Sequence, residues 1–320
     1  MNKTLLQDGL TIIARCKPVT GDIWHAHYGA AAIAAYDLAR DDRIDPEAAR
    51  RLTEQAKEMV RRHALPAFET DGGSRLVHAA EAEAVIVAAL ERTIDGLHWV
   101  GHNAIYAAHS LRAIRELGGE VSEDVPDGIA QLIGSFERTI PGRSWLGYTA
   151  SEVKRLVIEP SDGMPDIERP EQLSEFVLGE LAAFVTIYRA EAHHDLIGHL
   201  LTYSHALNLL HDLGYAAQFK RGVVPLQRLA KALRASRSIP PDDPIKLASP
   251  VDRLPLVPAR RSPHLPEEAA YWGDEVAEHD WDYGHSFKFP AAFYDHSRRA
   301  RYADVAVVRN FRYLINLKHG

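Results

Sequence analysis

The sequence has a single cysteine, Cys16, among its 320 residues. One cysteine excludes both an intramolecular disulfide framework and a zinc site built on cysteines. The chain also lacks a run of about eighteen uninterrupted apolar residues, and its start lacks the basic-then-apolar pattern of a signal peptide. We therefore expect a cytoplasmic protein without a membrane span.

Concentrated positive charge is also scarce. The formal net charge is −7, and nucleic acid is not an expected partner because phosphate binding needs clustered Lys and Arg. No Gly-x-Gly-x-x-Gly follows a strand-like segment, which argues against a built-in flavin or nicotinamide domain, and no haem signature is present. Hydrophobic residues make up 46% of the chain, enough for a sizeable core.

Helical periodicity recurs along most of the chain, whereas strand patterns are few and weak. Apolar or histidine-bearing helices are each followed by an amphipathic one, in the pairs 27–39 and 46–64, 102–117 and 126–138, and 196–212 and 223–236. The pattern predicts a single all-α domain over 1–320, with paired helices around a central cavity, as an α/α-barrel-like or irregular bundle. The Pro-rich stretch 237–266 is predicted to be a loop that acts as a lid or a clasp.

Histidine is abundant, with seventeen in the chain. Two apolar helical phrases share a Gly-His start, a Tyr four residues after that His, and a second His: 101–109 and 198–205. Each imidazole could be a core histidine bonded to a backbone carbonyl or a tyrosine. Several buried imidazoles each need a partner, however, and one shared metal ion satisfies several at once. Neutral imidazoles are common ligands of iron, zinc and copper.

The histidine-bearing phrases include no obvious carboxylate ligand for a metal ion. The His-Glu-x-x-His signature is absent, and the one Glu-x-x-His spacing, Glu191 to His194, lies at a polar junction before Asp195, which is expected to cap a helix. Lys288 follows His285 by three residues among phenylalanines. Its amine either extends to solvent or, with a lowered pKa, reacts with carbon dioxide to give a carbamate that supplies an anionic oxygen.

Four phrases resemble, in order, the four histidine-bearing segments of the questin oxidase-like family. They are His27-Tyr-Gly-Ala-Ala-Ala-Ile-Ala-Ala-Tyr-Asp-Leu, His102-Asn-Ala-Ile, His199-Leu-Leu-Thr-Tyr-Ser-His205-Ala-Leu-Asn-Leu-Leu and His285-Ser-Phe-Lys288. The third is the most specific, because both histidines and the Ala-Leu-x-Leu-Leu tail match. The family pattern has Asn before the first His, where this chain has Ala26. The resemblance is limited to short, separate segments within 24–296.

The resemblance implies an oxygenase of secondary metabolism that uses dioxygen and non-haem Fe(II), with NADPH as a candidate external reductant. It would open or hydroxylate the ring of a small aromatic polyketide-like substrate. The implied ligands are His27, His102, His199 and His285, with Lys288 as the carbamate. His205 and His109 would be catalytic or contact the substrate. The residues implied to line an aromatic pocket are Trp24, Trp99, Tyr106, Tyr203 and Phe287.

His205 lies about 120° from His199 around a helix, so one metal ion is expected to bind only His199. The resemblance implies a phenolic substrate, whose proton His205 as an unperturbed imidazole would take. Two alternatives stay open at this stage: a zinc-dependent hydrolase or lyase that uses the same histidines, and a non-catalytic helical protein that binds a small molecule. The sequence predicts no oligomeric state.

Overall fold

A computed structural model of the chain describes residues 3–66, 75–240, 245–273, 281–300 and 305–316. Within these ranges there are thirteen α-helices and four strands of two or three residues, so the all-α prediction is confirmed. Strand β1 (Leu76–His78) pairs antiparallel with β2 (Glu120–Ser122), and β3 (Trp145–Leu146) with β4 (Leu247–Ala248). None of the helices described here has both the length and the apolar character needed to cross a membrane.

The chain divides into two compact units, each assembled from three separate segments. The first unit comprises Met1–Thr93, Asn103–Glu137 and His264–Ala291. The second comprises Ile94–His102, Arg138–Pro263 and Ala292–Gly320. A single domain over 1–320 around a central cavity stays a prediction.

The first unit is built from seven helices, or parts of helices, and a single-turn helix. These are α1 (Thr4–Arg15), α2 (Ala26–Leu38), α3 (Pro46–Arg62), α4 (Ala79–Glu91), α5 (His102–Leu117) from Asn103 onward, α6 (Asp124–Gly134), α11 (Ala269–Trp272) and α12 (His285–Ala300) as far as Ala291. Helix α2 packs against α1 and α3. Its alanines at 30, 31, 32, 34 and 35 are all buried, because small side chains let neighbouring helices approach it from several sides.

The second unit contains α7 (Ala150–Arg155), α8 (Pro170–Ala182), α9 (Leu196–Asp212), α10 (Ala216–Arg234), α13 (Val305–Leu314) and the end of α12. Helix α9 is buried at every residue from Leu196 to Leu210 and packs against α8 and α10. Helix α10 begins at Ala216 and continues through Pro225, so the predicted start at 223 is wrong. A proline removes one backbone hydrogen bond, and the packing of α10 against α9 is sufficient to keep the helix.

The Pro-rich stretch 237–266 contains, among its described residues, only the short strand β4. The backbone of this stretch forms hydrogen bonds with the backbone of residues 187–189. For example, the carbonyl oxygen of Val257 accepts from the N–H of Arg189 at 2.8 Å. The Asp252 carboxylate accepts from the backbone N–H groups of Glu191 and Ala192, both at 2.9 Å. The loop therefore holds the segment that leads into α9. A lid role stays a prediction.

Replacing Asp252 with alanine is expected to lower the free energy of unfolding by about 2 kcal/mol, because two backbone N–H groups lose their acceptor. Urea denaturation measures this cost. The matched control is Arg253→Ala, since Arg253 is the exposed neighbour and its guanidinium bonds carbonyls of its own loop. Equal stability of the two variants would contradict the anchoring role of Asp252.

Candidate metal centre

The four histidines predicted as ligands all lie in the first turn of a helix. His102 and His285 are the first residues of α5 and α12, His27 is the second residue of α2, and His199 is the fourth residue of α9. All four side chains are buried, with no more than 5% of each residue exposed. Each of the four predicted imidazoles therefore lies at the start of a different helix.

In the first unit, the rings of His27 and His285 have centroids 5.6 Å apart. The Nδ1 of His27 lies 2.9 Å from the carbonyl oxygen of Trp24, and the Nδ1 of His285 lies 3.4 Å from Oδ2 of Asp282. These oxygens only accept hydrogen bonds, so Nδ1 of each ring donates and Nε2 keeps its lone pair. Metal-binding histidines are typically oriented by such a bond from the other ring nitrogen.

Tyr106 adds a second partner to His27. Its hydroxyl oxygen lies 2.7 Å from Nδ1 of His27 and donates its own hydrogen to the carbonyl of Ile23 at 3.0 Å. A phenol has one hydrogen, so Tyr106 accepts from His27, in agreement with a hydrogen on Nδ1. Burial raises the pKa of Tyr106 well above its ordinary value, which keeps the phenol neutral. The substrate-lining role of Tyr106 stays a prediction.

In the second unit, the rings of His102 and His199 have centroids 4.8 Å apart. The Nδ1 of His102 bonds the carbonyl oxygen of Trp99, and the Nδ1 of His199 lies 2.8 Å from the carbonyl oxygen of Asp195. The carboxylate of Asp195 lies 3.5 Å from the same nitrogen and makes no capping bond at the start of α9. The expected capping role of Asp195 is therefore wrong, because its side chain lies beside His199.

Two turns of the same unusual conformation precede His102 and His285. The φ angles are 42°, 52° and 96° through Trp99–Gly101, and 45°, 53° and 78° through Asp282–Gly284. Side chains other than glycine rarely adopt positive φ, and the strain persists only where the surroundings enforce it, often at functional sites. The helical periodicity that predicts a helix over 102–117 gives no sign of either turn. The available signal was the Gly-His pair shared by both sites.

Lys288 lies in the first turn of α12, three residues after His285, and only 3% of it is exposed. The alternative in which its amine extends to solvent is therefore wrong. A carbamate at Lys288 stays a prediction. Phe287, next to it, is fully buried and stacks on Trp272 with centroids 5.5 Å apart.

The remaining predicted site residues have definite environments. Burial lowers the pKa of His205 to about 4, against the opposing charge of Asp295, so His205 is a weaker base than the unperturbed imidazole expected there. His109 is buried on α5. Tyr203 is fully buried, and its hydroxyl donates to the carbonyl of Gly222 at 3.2 Å. Their catalytic or substrate-binding roles stay predictions, as do those of the half-buried Trp24 and Trp99.

Stability is expected to fall as the pH drops from 6.5 toward 4. Burial lowers the pKa of His193 to about 3 and that of His205 to about 4, from an ordinary 6.5. Below pH 6.5 these histidines bind protons in the unfolded chain but stay neutral in the folded chain. The free energy of unfolding therefore falls by about 1.4 kcal/mol per pH unit for each histidine. Chemical denaturation at several pH values measures the slope. In His205→Gln the slope of the free energy of unfolding against pH should decrease by about 1.4 kcal/mol per pH unit, the contribution of one proton. An unchanged slope would contradict the burial of a neutral His205.

The described chain thus contains two buried histidine pairs, His27 with His285 and His102 with His199, whose Nδ1 atoms all face an oxygen that orients the ring. No family model, no curated protein and no solved structure matches the chain. The resemblance to the questin oxidase-like family stays a prediction.

Proposed function

We propose that His27, His102, His199 and His285 bind one metal ion through Nε2, and that the protein is a metal-dependent oxygenase of small aromatic molecules. The observation that carries the proposal is the arrangement that the four side chains share. Each is buried, lies in the first turn of a helix and donates a hydrogen bond from Nδ1 to an oxygen. The buried group of His27, His102 and His199 could hold a metal ion.

Iron is the proposed metal. Imidazole donors suit iron, zinc and copper alike, and the resemblance to the questin oxidase-like family favours Fe(II). When bound, the ion would activate dioxygen for oxidative ring opening or hydroxylation of a phenolic, polyketide-like substrate, with NADPH as an external reductant. A carbamate on the buried Lys288 would add an anionic oxygen ligand to the four neutral imidazoles.

The surrounding residues of the chain would position the ligands and the substrate. Tyr106 and the Trp24 carbonyl hold the ring of His27, and Asp282 holds that of His285. The half-buried indole of Trp24 lies 5.8 Å from the ring of His27, which puts an aromatic face beside a ligand. Aromatic side chains favour stacked or edge-on contacts with an aromatic substrate.

The proposed carbamate predicts a specific NMR signal. Protein incubated with ¹³C-bicarbonate and metal is expected to show a carbamate carbonyl resonance that is lost in Lys288→Met, because the methionine keeps the buried volume but removes the amine. Replacing Lys57, on an exposed position of α3, should leave the signal intact. A resonance of equal intensity in Lys288→Met would contradict the assignment.

The oxygenase proposal is tested by comparing iron-loaded and zinc-loaded protein in an oxygen electrode with phenolic aromatic substrates. Oxygen consumption that requires both iron and substrate is expected. Turnover by the zinc-loaded protein without oxygen would overturn the oxygenase and favour a hydrolase or lyase. Binding of the aromatic compound without any uptake of metal would overturn it in favour of a non-catalytic binding protein.

A further inference from the structure

An exposed aromatic residue lies beside the buried candidate ligand His27. Tyr283 is 54% exposed, and its ring centroid lies 5.9 Å from that of His27 and 6.0 Å from that of Tyr28. A large ring left in solvent gives up the stabilisation that its burial would provide. Its position next to a candidate metal ligand therefore needs an explanation beyond packing.

The backbone at Tyr283 is strained and held on both sides. Tyr283 has φ 53° and ψ 26°, a conformation that side chains other than glycine rarely adopt. On one side, the indole of Trp281 donates to Oε1 of Gln55 at 3.3 Å and lies under the guanidinium of Arg62. On the other, Gly284 packs against Ala31 so closely that an added Cβ would lie 2.3 Å from it. The turn therefore presents Tyr283 in a fixed place.

Tyr283 is the most exposed member of a group of neighbouring rings in the first unit. Tyr28 stacks on His63 with centroids 3.5 Å apart and an interplanar angle of 6°, and its plane is within 28° of that of Tyr283. The ring of Tyr283 in turn meets His27 edge-on at 61°. The series of rings leads from solvent to the candidate ligand, and the contact distances are those at which aromatic rings attract one another.

We propose that Tyr283 is a specificity-determining residue that stacks on the flat face of the substrate beside His27 and selects planar aromatic molecules over bulky apolar ones. The inference rests on the proposed function, because it takes His27 as a ligand at the reacting centre. Stacking needs only the ring and its placement, so it is measurable on protein from which metal has been removed.

The test uses metal-free full-length protein and two probes with the same number of carbon atoms, planar 2-naphthol and bulky 1-adamantanol, in titration calorimetry. Tyr283→Phe keeps the ring, whereas Tyr283→Asn removes it and tolerates the left-handed backbone. We expect Tyr283→Phe to bind 2-naphthol as wild type does and Tyr283→Asn to bind it about three- to tenfold more weakly, the effect of one aromatic pair. Affinity for 1-adamantanol should not change.

Three results would overturn the inference: wild type that does not bind 2-naphthol, Tyr283→Asn that binds it as tightly as wild type, or equal losses for both probes. Iron content is measured separately on the same variants, and Tyr283→Asn should load iron as wild type does. If wild type fails to bind iron while Tyr283→Asn still weakens 2-naphthol binding, the proposed function is overturned and Tyr283 keeps its role in stacking on planar aromatic molecules. Normal iron loading without a difference between the variants in 2-naphthol binding would overturn the role of Tyr283 alone.

Discussion

Replacing His199 with alanine is expected to abolish metal binding at the proposed centre. Loss of an outer partner of a ligand typically lowers metal affinity about 10- to 100-fold, so loss of the ligand itself should cost more than about 100-fold. His199 is 2% exposed, and its Nδ1 is held by the carbonyl of Asp195, so the ring has one defined orientation. Metal content after dialysis, measured by mass spectrometry, reports the effect, and oxygen consumption should fall with it.

The matched control for this substitution is His211→Ala. His211 lies on the same helix, near its end, where its ring packs edge-on against Phe219 with centroids 5.2 Å apart. It should therefore keep the metal content of wild type. Retention of full metal content by His199→Ala, or an equal loss in both variants with the helical circular dichroism unchanged, would contradict the assignment of His199.

Gly101→Ala is expected to destabilise the protein by more than about 4 kcal/mol, the range reached when a core residue is overpacked in a special backbone conformation. An added Cβ would lie 2.2 Å from the ring of Tyr203, and φ at Gly101 is 96°. Gly163→Ala is the matched control, because φ is 59° there and nothing lies within 4 Å of the added Cβ. It should cost only about 1–2 kcal/mol for the left-handed backbone. Urea denaturation compares the two.

Gly101→Ala can fail to fold, so a double variant keeps this prediction testable. Adding Tyr203→Ala removes the ring that the new methyl group would overlap. The double variant should fold and be less destabilised than the sum of its two single changes, since the residues interact directly. Equal stability of Gly101→Ala and Gly163→Ala would contradict the close packing that fixes the start of α5 at His102.

Features that depend on local sequence were predictable. Helix α3 was expected over 46–64 and lies at Pro46–Arg62, because its apolar positions repeat with the helical period and Asp45 caps its start by accepting from the backbone N–H of Glu47 and Ala48. The set of four candidate ligands comes from the resemblance to the questin oxidase-like family. All four side chains are buried at helix starts, and their binding of metal stays a prediction.

Features that depend on backbone strain or on neighbouring segments could not be predicted. Trp99, Val100 and Tyr283 are not residues that favour positive φ, so residue type at these positions does not predict the two left-handed turns, and the Gly-His pair that follows them is too common to do so alone. An aspartate at the start of a helix can cap it or orient a histidine, and residue type does not distinguish the two. Asp195 has helical φ and ψ of −67° and −42° instead of the extended backbone typical of an N-cap, and its carboxylate lies 3.5 Å from Nδ1 of His199, four residues later.

The most direct test of the central claim is an anomalous diffraction map recorded at the iron absorption edge from crystals of the iron-loaded protein. The account predicts one peak within bonding distance of Nε2 of His27, His102, His199 and His285. A peak bound by other residues, or iron-loaded crystals in which these four nitrogens do not share one ion, would contradict it.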